Sequence, residues 1–395
     1  MNSWQLSASE TDALVDFLRR LVQTPSLPGQ EGAVAALIQS EMQKLGFADV
    51  KTDTAGNVSG QIGKDAGPVL LFDAHMDTVE VAEPERWRVD PWSAEIQQGR
   101  LYGLGSCDMK GGLAAAVYGA AHLLHAGIPL AGRVVVATVG LEEPAEGTCT
   151  RLFLEESQLH PSWVVIVEPS DLQVVRAQRG HLEMLLTLHG KSAHSAKPEL
   201  GDNAIYAAAR VIFGLEILAE QLAEDAFLGP GILAVTDIHS HAVSRNAIPE
   251  RCEMIIDRRL TVGETEALAL AEIQRVIARE GVRATVKVIE EDVRTYTGKV
   301  HRARRASPPW ALDEHHPLVT AMLQAGRDAG LRPGLSKWYF ATEGAYTAGV
   351  AQIPTVGFGP GDPNLAHTCN ENVALEQVNH AASTYAALAA RLLHP

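Results

Sequence analysis

The segment Val69-Leu-Leu-Phe-Asp-Ala-His-Met-Asp77 constrains the fold of this chain more than any other. An apolar run of that length, closed by polar residues, reads as a buried strand, and a strand buried on both sides must be covered by helices on both faces of its sheet. Its end is unusual for a core strand. His75 and Asp77 are two residues apart, so on an extended chain they share a face at the strand's carboxyl end. An imidazole there either binds a metal ion, its ring and tautomer fixed by the carboxylate, or simply hydrogen-bonds its neighbour.

The surrounding pattern agrees with a layered fold. Amphipathic helices are expected over 9–23 and 30–45, parted by the breaker run Thr24-Pro-Ser-Leu-Pro-Gly29. After strand 69–75 come an alanine-rich helix from Lys110 to Ala126 with Gly127 as its C-cap, strand 133–139, helix 148–157 and strand 163–167. The last part returns to the same style, with helix 316–329, strand 353–358 and helix 375–393. Alternating apolar strands and helices give an α/β fold with helices on both faces of the sheet.

The middle differs. Strand 181–189, helix 202–223, strands 232–239 and 251–260, helix 264–280 and strand 284–291 follow one another in the order βαββαβ, the ferredoxin-like arrangement. A single long mixed sheet is the alternative. A closed unit lying between two α/β halves favours insertion, with 179–294 as the inserted domain and 1–178 and 295–395 as the two parts of its host.

Composition narrows the function. The formal charge of −15 argues against binding a phosphate backbone, so no nucleic-acid partner is expected. No apolar run approaches the ~20 residues a membrane span needs, so no membrane partner is expected either. The opening Met1–Glu10 lacks the basic start and apolar core of a signal peptide. Cys107, Cys149, Cys252 and Cys369 are scattered with no paired spacing, as free thiols of a reducing compartment would be. A cytoplasmic location is expected.

Further acids and one more imidazole fall where strands end. Asp108 lies in Gly105-Ser-Cys-Asp-Met-Lys-Gly-Gly112, ahead of the alanine-rich helix; Glu142 and Glu143 follow strand 133–139; Glu168 follows Trp163–Val167; His367 follows strand 353–358. Taken singly, each has an ordinary structural role: Asp108 as an N-cap, Glu142-Glu143 as a solvated turn, Glu168-Pro169 as a strand exit. Together they occupy the carboxyl ends of strands, where α/β sheets bind ligands. Like charges in one crevice disfavour ionisation, and divalent cations are the natural compensation. This many ligands suggests two ions, and imidazole with carboxylate suits zinc first, then cobalt or manganese. One of Glu142 and Glu143 is left to face the bound water.

The ordered set His75-x-Asp77, Gly105–Gly112, Glu142-Glu143, Glu168-Pro169 and His367 resembles the M20 family of metallopeptidases and deacylases, and the resemblance spans nearly the whole chain. It implies a zinc-exopeptidase-like catalytic domain built on a mixed sheet, with an inserted lid that also forms a homodimer. By motif, His75, Asp108 and Glu168 would hold one metal, and Asp108, Glu143 and His367 the other. Asp77 would orient His75 and Glu142 would be the general base. His194, in Gly190–Pro198, would stabilise the oxyanion in its own or the partner's site. Asn246 and Arg259 would hold a substrate carboxylate, with Arg245 and Arg258 as substitutes.

Two departures weaken transfer of a substrate. Leu141 stands where many relatives carry an acid, and Phe340-Ala-Thr-Glu-Gly-Ala345 replaces a more familiar pattern. The chain looks most like the YgeY-like hydrolases linked to selenium metabolism, with Thr342 and Glu343 expected to shape the pocket and to favour a positive group near Glu343. The expectation is a dimetal hydrolase of a small N-acyl amino acid or dipeptide with a free carboxylate. A non-catalytic binding protein of the same fold is the rival from another class.

Overall fold

The computed structural model describes residues 4–394. Met1, Asn2 and Ser3 of the opening segment, and Pro395, lie outside the described residues. Helix α1, Ala8–Val22, starts on a reciprocal cap: the Ser7 side chain accepts from the Glu10 amide and Glu10 accepts from the Ser7 amide at 2.8 Å. Its Leu14, Phe17, Leu18 and Leu21, at helical spacing, are buried. Helix α2, Gly32–Lys44, and strands β1, Ala48–Thr52, and β2, Val58–Gly63, follow. These two strands, rich in polar residues and glycine, were absent from the sequence expectation.

Strand β3, Val69–His75, is buried at every residue. Then come α3, Gly111–His125; β4, Arg133–Val139; α4, Thr148–Ser157; β5, Trp163–Ile166; and β6, Val174–Gln178. The middle of the chain holds β7, Gly180–His189; α5, Ala204–Ala219; β8, Ile232–His241; β9, Arg251–Leu260; α6, Glu266–Arg279; and β10, Ala284–Val288. The last part adds α7, Pro317–Asp328; β11, Leu335–Trp338; β12, Thr355–Gly357; and α8, Leu375–Leu392.

Among the described residues, nine strands form the larger sheet, in the order β1-β2-β4-β3-β5-β12-β6, with Trp310–Ala311 on the β6 edge and β11 also paired to β6. β3 runs parallel to both β4 and β5, while β2 is antiparallel to β4, so the sheet is mixed. Its two faces follow from period two. Leu70, Phe72 and Ala74 join the core under α1, α2, α3, α7 and α8. Val69 and Leu71 join the opposite core with Phe153 and Leu154 of α4. Asp73 and His75 continue that second, odd-numbered face. One close approach ties α3 to this sheet: a Cβ on Gly112 would lie 2.0 Å from the Val167 carbonyl oxygen, so only glycine brings the start of α3 this near to Glu168.

A second sheet of five strands runs β8-β9-β7-β10, with Ala306–Ser307 also on β7. This is the ferredoxin-like order. It has its own core: Leu182, Met184, Leu186 and Leu188 pack with α5 and α6. The strand expected over 284–291 divides into β10 and a hairpin, Glu290–Arg294 with Val300–Arg304, and the chain rejoins the larger sheet at Trp310–Ala311.

Candidate metal centre

β3 lies between β4 and β5, so the turns that leave all three strands open side by side. This brings His75, Glu142-Glu143 and Glu168 together, and the turn before α3 adds Asp108. His75 Nε2 is 3.0 Å from Asp108 Oδ1 and 3.4 Å from Glu168 Oε1. His367 Nε2 is 3.4 Å from Asp108 Oδ2 and 3.0 Å from Glu143 Oε2. Asp108 thus turns one oxygen to each imidazole, and two three-residue sets share it. The Asp108–Met109 peptide bond is cis. His367 is exposed, whereas His75 and Glu168 are buried.

The turns are pinned by side chains that reach from elsewhere. Asp77 accepts from the Glu142 and Glu143 amides, each at 3.2 Å. His75 Nδ1 lies 3.0 Å from the Asp77 backbone carbonyl oxygen and 3.8 Å from its carboxylate. Asp77 therefore orients His75 through its carbonyl, because its carboxylate is committed to the Glu142 turn. Glu31 accepts from the Leu141 amide at 3.2 Å, and Asn57 accepts from the Gly140 amide at 3.2 Å. Glu371 accepts from the amides of Gly105 (2.9 Å), Cys107 (2.7 Å) and Asp108 (3.0 Å). Buried Lys110 donates to the Leu21 and Thr24 carbonyls, each at 3.0 Å, and burial lowers its pKa to about 7.

The electrostatics are those of crowded acids. Burial, followed by the nearby Asp108 charge, lifts Glu168 to about 8 and Glu371 to about 8. Burial also lifts Asp77 to about 7. Burial and the Glu343 charge hold Glu142 well above the carboxylate range. Asp108 is the exception: burial opposes its ionisation, but the His367 and His75 contacts prevail and hold it below the usual range. The donor set fits divalent cations. Glu168 Oε2 and Glu142 Oε1 are buried with no hydrogen-bond partner among the described residues, and His75, Glu142 and Glu168 offer atoms within 4.8 Å of one another. His75, Asp108 and Glu168 would hold one ion, and Asp108, Glu143 and His367 a second.

A cavity of ≈ 270 Å³ opens over this cluster, lined by Asp108, Glu142, Glu143, Glu168 and His367 on one side and Glu146, His181, Arg259 and Tyr339–Ala341 on others. The remaining expected residues divide. Arg259 lines the cavity, paired to Asp257 at 2.9 Å. Its proposed substitute Arg258 is buried against Glu264 and Glu272 on the sheet's core side. His194 and Asn246 are exposed, neighbours on the inserted unit, and do not line the cavity. Thr342 is buried and donates to Gln178 Oε1 at 2.7 Å. Glu343 is fully buried and is not among the residues lining the cavity; burial and Glu168 raise it to about 8.

A model of peptidase family M20/M25/M40 matches residues 71–391. The chain belongs to this family. It is 37% identical over 374 residues to the uncharacterized protein YgeY of Escherichia coli (strain K12), which covers 94% of this chain and 92% of that protein. It is 30% identical over 272 residues to succinyl-diaminopimelate desuccinylase 2 of Ruegeria sp. (strain TM1040), covering 66% of this chain and 68% of the relative. Among solved structures, a tripeptidase from Staphylococcus aureus superposes with a TM-score of 0.78 at 20% identity, covering 98% of this chain and 99% of that one.

As an M20 protein the chain is a metal-dependent hydrolase of linear amide or peptide bonds. Glu31, Asn57, Glu371 and His181 are site residues that sequence reasoning missed. Glu371 carried the one available signal, an acid just after His367, but its partners lie more than 260 positions away in sequence.

Two outcomes are expected. In metal-free protein the raised carboxyls keep protons that the unfolded chain releases, so the native state binds more protons between about pH 4.5 and 8. Stability then falls as pH rises through that window. Thermal unfolding of chelated protein should show this fall, and added divalent metal should remove most of it. A flat or rising profile would contradict it. Glu371→Gln should weaken metal affinity by about 10–100-fold, the scale for losing a group that orients a ligand, as read by competition with a chromogenic chelator.

Proposed function

We propose that this M20 hydrolase uses two divalent metal ions to cleave the amide bond of a small N-acyl amino acid or dipeptide bearing a free carboxylate. The observation that carries the reading is Asp108, whose two oxygens face His75 and His367 on opposite sides. Ions held there supply Lewis acidity, lowering the pKa of water and polarising a carbonyl. The chain's own residues would do the rest. Glu142 lines the cavity, its amide fixed by Asp77. It would take the proton of the attacking water and hand it to the leaving nitrogen. Imidazole and carboxylate donors favour zinc, with cobalt or manganese next.

A cavity of ≈ 270 Å³ suits a small substrate, and Arg259 in its wall suits a carboxylate. Thr342 would act indirectly, through Gln178. A deacylase is the first reading and a dipeptidase or carboxypeptidase the second; relatives named as a desuccinylase and a tripeptidase support one each. Four free cysteines suit the cytoplasm.

The inserted unit, residues 179–294, would serve as lid and dimer surface. Its α5 exposes Ile205, Tyr206, Phe213 and Ile217, and β8 exposes Ile232 and Ile238, a patch that suits burial against a second copy. His194 and Asn246 lie outside the chain's own cavity, which suits service in the partner's site, where a donor to the oxyanion is worth about 3–4 kcal/mol.

Glu142→Ala should retain metal yet lose about 10²–10⁴-fold in kcat, the range for removing a general base. Measured turnover that survives the change would sink the assignment. Chelation should abolish hydrolysis across a panel of acyl-amino acids and dipeptides, and zinc, cobalt or manganese should restore it. Phe213→Glu should convert a dimer to a monomer in light scattering, and the folded, metal-loaded monomer should lose turnover. A monomer with full activity would show that His194 is not needed from a partner.

A further inference from the structure

The inserted sheet turns a polar face to the cavity, and that face is built as a network. β7 and β9 are antiparallel, with His181 directly opposite Arg259 and Glu183 opposite Asp257. Their neighbours Leu182 and Met184 point the other way, into the core under α5 and α6. These four polar residues therefore share one surface, at cross-strand contact distance. His181 sits at its centre and is only 6% exposed. Nε2 lies 3.2 Å from Asp257 Oδ2 and 3.4 Å from Glu183 Oε1, charge contacts without hydrogen-bond geometry. Nδ1 lies 3.1 Å from Oε1 of Glu146, three residues beyond Glu143. Burial alone would favour neutral imidazole, but Asp257, Glu146 and Glu183 outweigh it and raise His181 to about 10.

Asp257 is the link to the cavity. Its two oxygens take Arg259 Nε and Nη2, both at 2.9 Å. That leaves both hydrogens of Nη1 and one of Nη2 for a ligand. An arginine is long and rotatable, and its fork grips a carboxylate well only when held in one orientation. Arg305 borders this network, its Nε 3.9 Å from Glu183 while its Nη2 donates to Glu291 at 3.3 Å.

We propose that His181 is a positioning residue for substrate selection: it fixes Asp257, and through Asp257 the Arg259 fork, so that the cavity prefers a substrate with a free carboxylate. The proposal rests on the amide-hydrolase reading above and names what sets its preference. His181 also joins this arm to Glu146, three residues beyond Glu143.

The test compares an N-acetyl amino acid with its primary amide, on metal-loaded parent protein, His181→Ala and Asp257→Asn, by kcat and KM. The parent should prefer the free acid. Each substitution should cut that preference by about 10–100-fold, the range for a charge-assisted hydrogen bond, mainly through KM for the acid, with a smaller change for the amide. The double variant should lose no more than either single one. Should His181→Ala fail to fold, Asp257→Asn carries the same comparison. Calorimetric binding of both compounds to Glu142→Ala, with and without the second substitution, reads the preference without turnover. A parent protein that cleaves no amide yet shows the binding preference, lost on substitution, would sink the hydrolase reading and keep the role of His181. A preference absent in the parent, one that survives both substitutions, or an equal kcat loss on both compounds, overturns the proposal.

Discussion

Repulsion among carboxylates organises this molecule. Asp108, Glu142, Glu143 and Glu168 meet at one crevice, with Asp77 behind them and Asp73 and Glu343 buried nearby. Buried acids at this density are tolerated only when they keep protons or meet cations. The imidazoles of His75 and His367 supply part of the compensation, and bound divalent ions would supply the rest. Much of the surrounding structure holds these groups against their repulsion. Asp77 pins one turn, Glu371 another and Glu31 the strand exit, each by accepting backbone amides rather than by pairing with a basic side chain. Backbone N–H groups are fixed in direction, so they hold a turn more rigidly than a flexible lysine would.

What the sequence made legible was local. Strand 133–139, helix 148–157 and strand 251–260 stand at the limits their patterns indicated, because apolar periodicity and turn residues act over a few positions. The order of the inserted unit was readable for the same reason, and its strand order follows from it. The convergence of His75, Asp108, Glu142, Glu143, Glu168 and His367 follows from one more rule, that α/β sheets gather polar site groups at strand carboxyl ends.

The rest depends on distance in sequence. Glu371 and Asn57 look like ordinary loop residues until the turns they cap are brought to them. Glu343 is a different case. Its motif reads as a pocket residue, and its full burial beside Glu168 is set by tertiary packing that local sequence does not signal. Asp73 reads as one more residue of an apolar strand, yet it shares a face with His75 and accepts from Thr150 at 3.0 Å. Asp77 was assigned to the correct neighbourhood by its spacing, yet its carboxylate serves the Glu142 turn.

We propose that Asp108 would hold both ions. Anomalous diffraction from crystals of metal-loaded protein decides this. Two peaks per chain are expected, about 3.5–4 Å apart as in other two-metal sites. One should contact His75 and Glu168, the other Glu143 and His367, with Asp108 touching both. A single peak, or a pair that leaves Asp108 out, would contradict it.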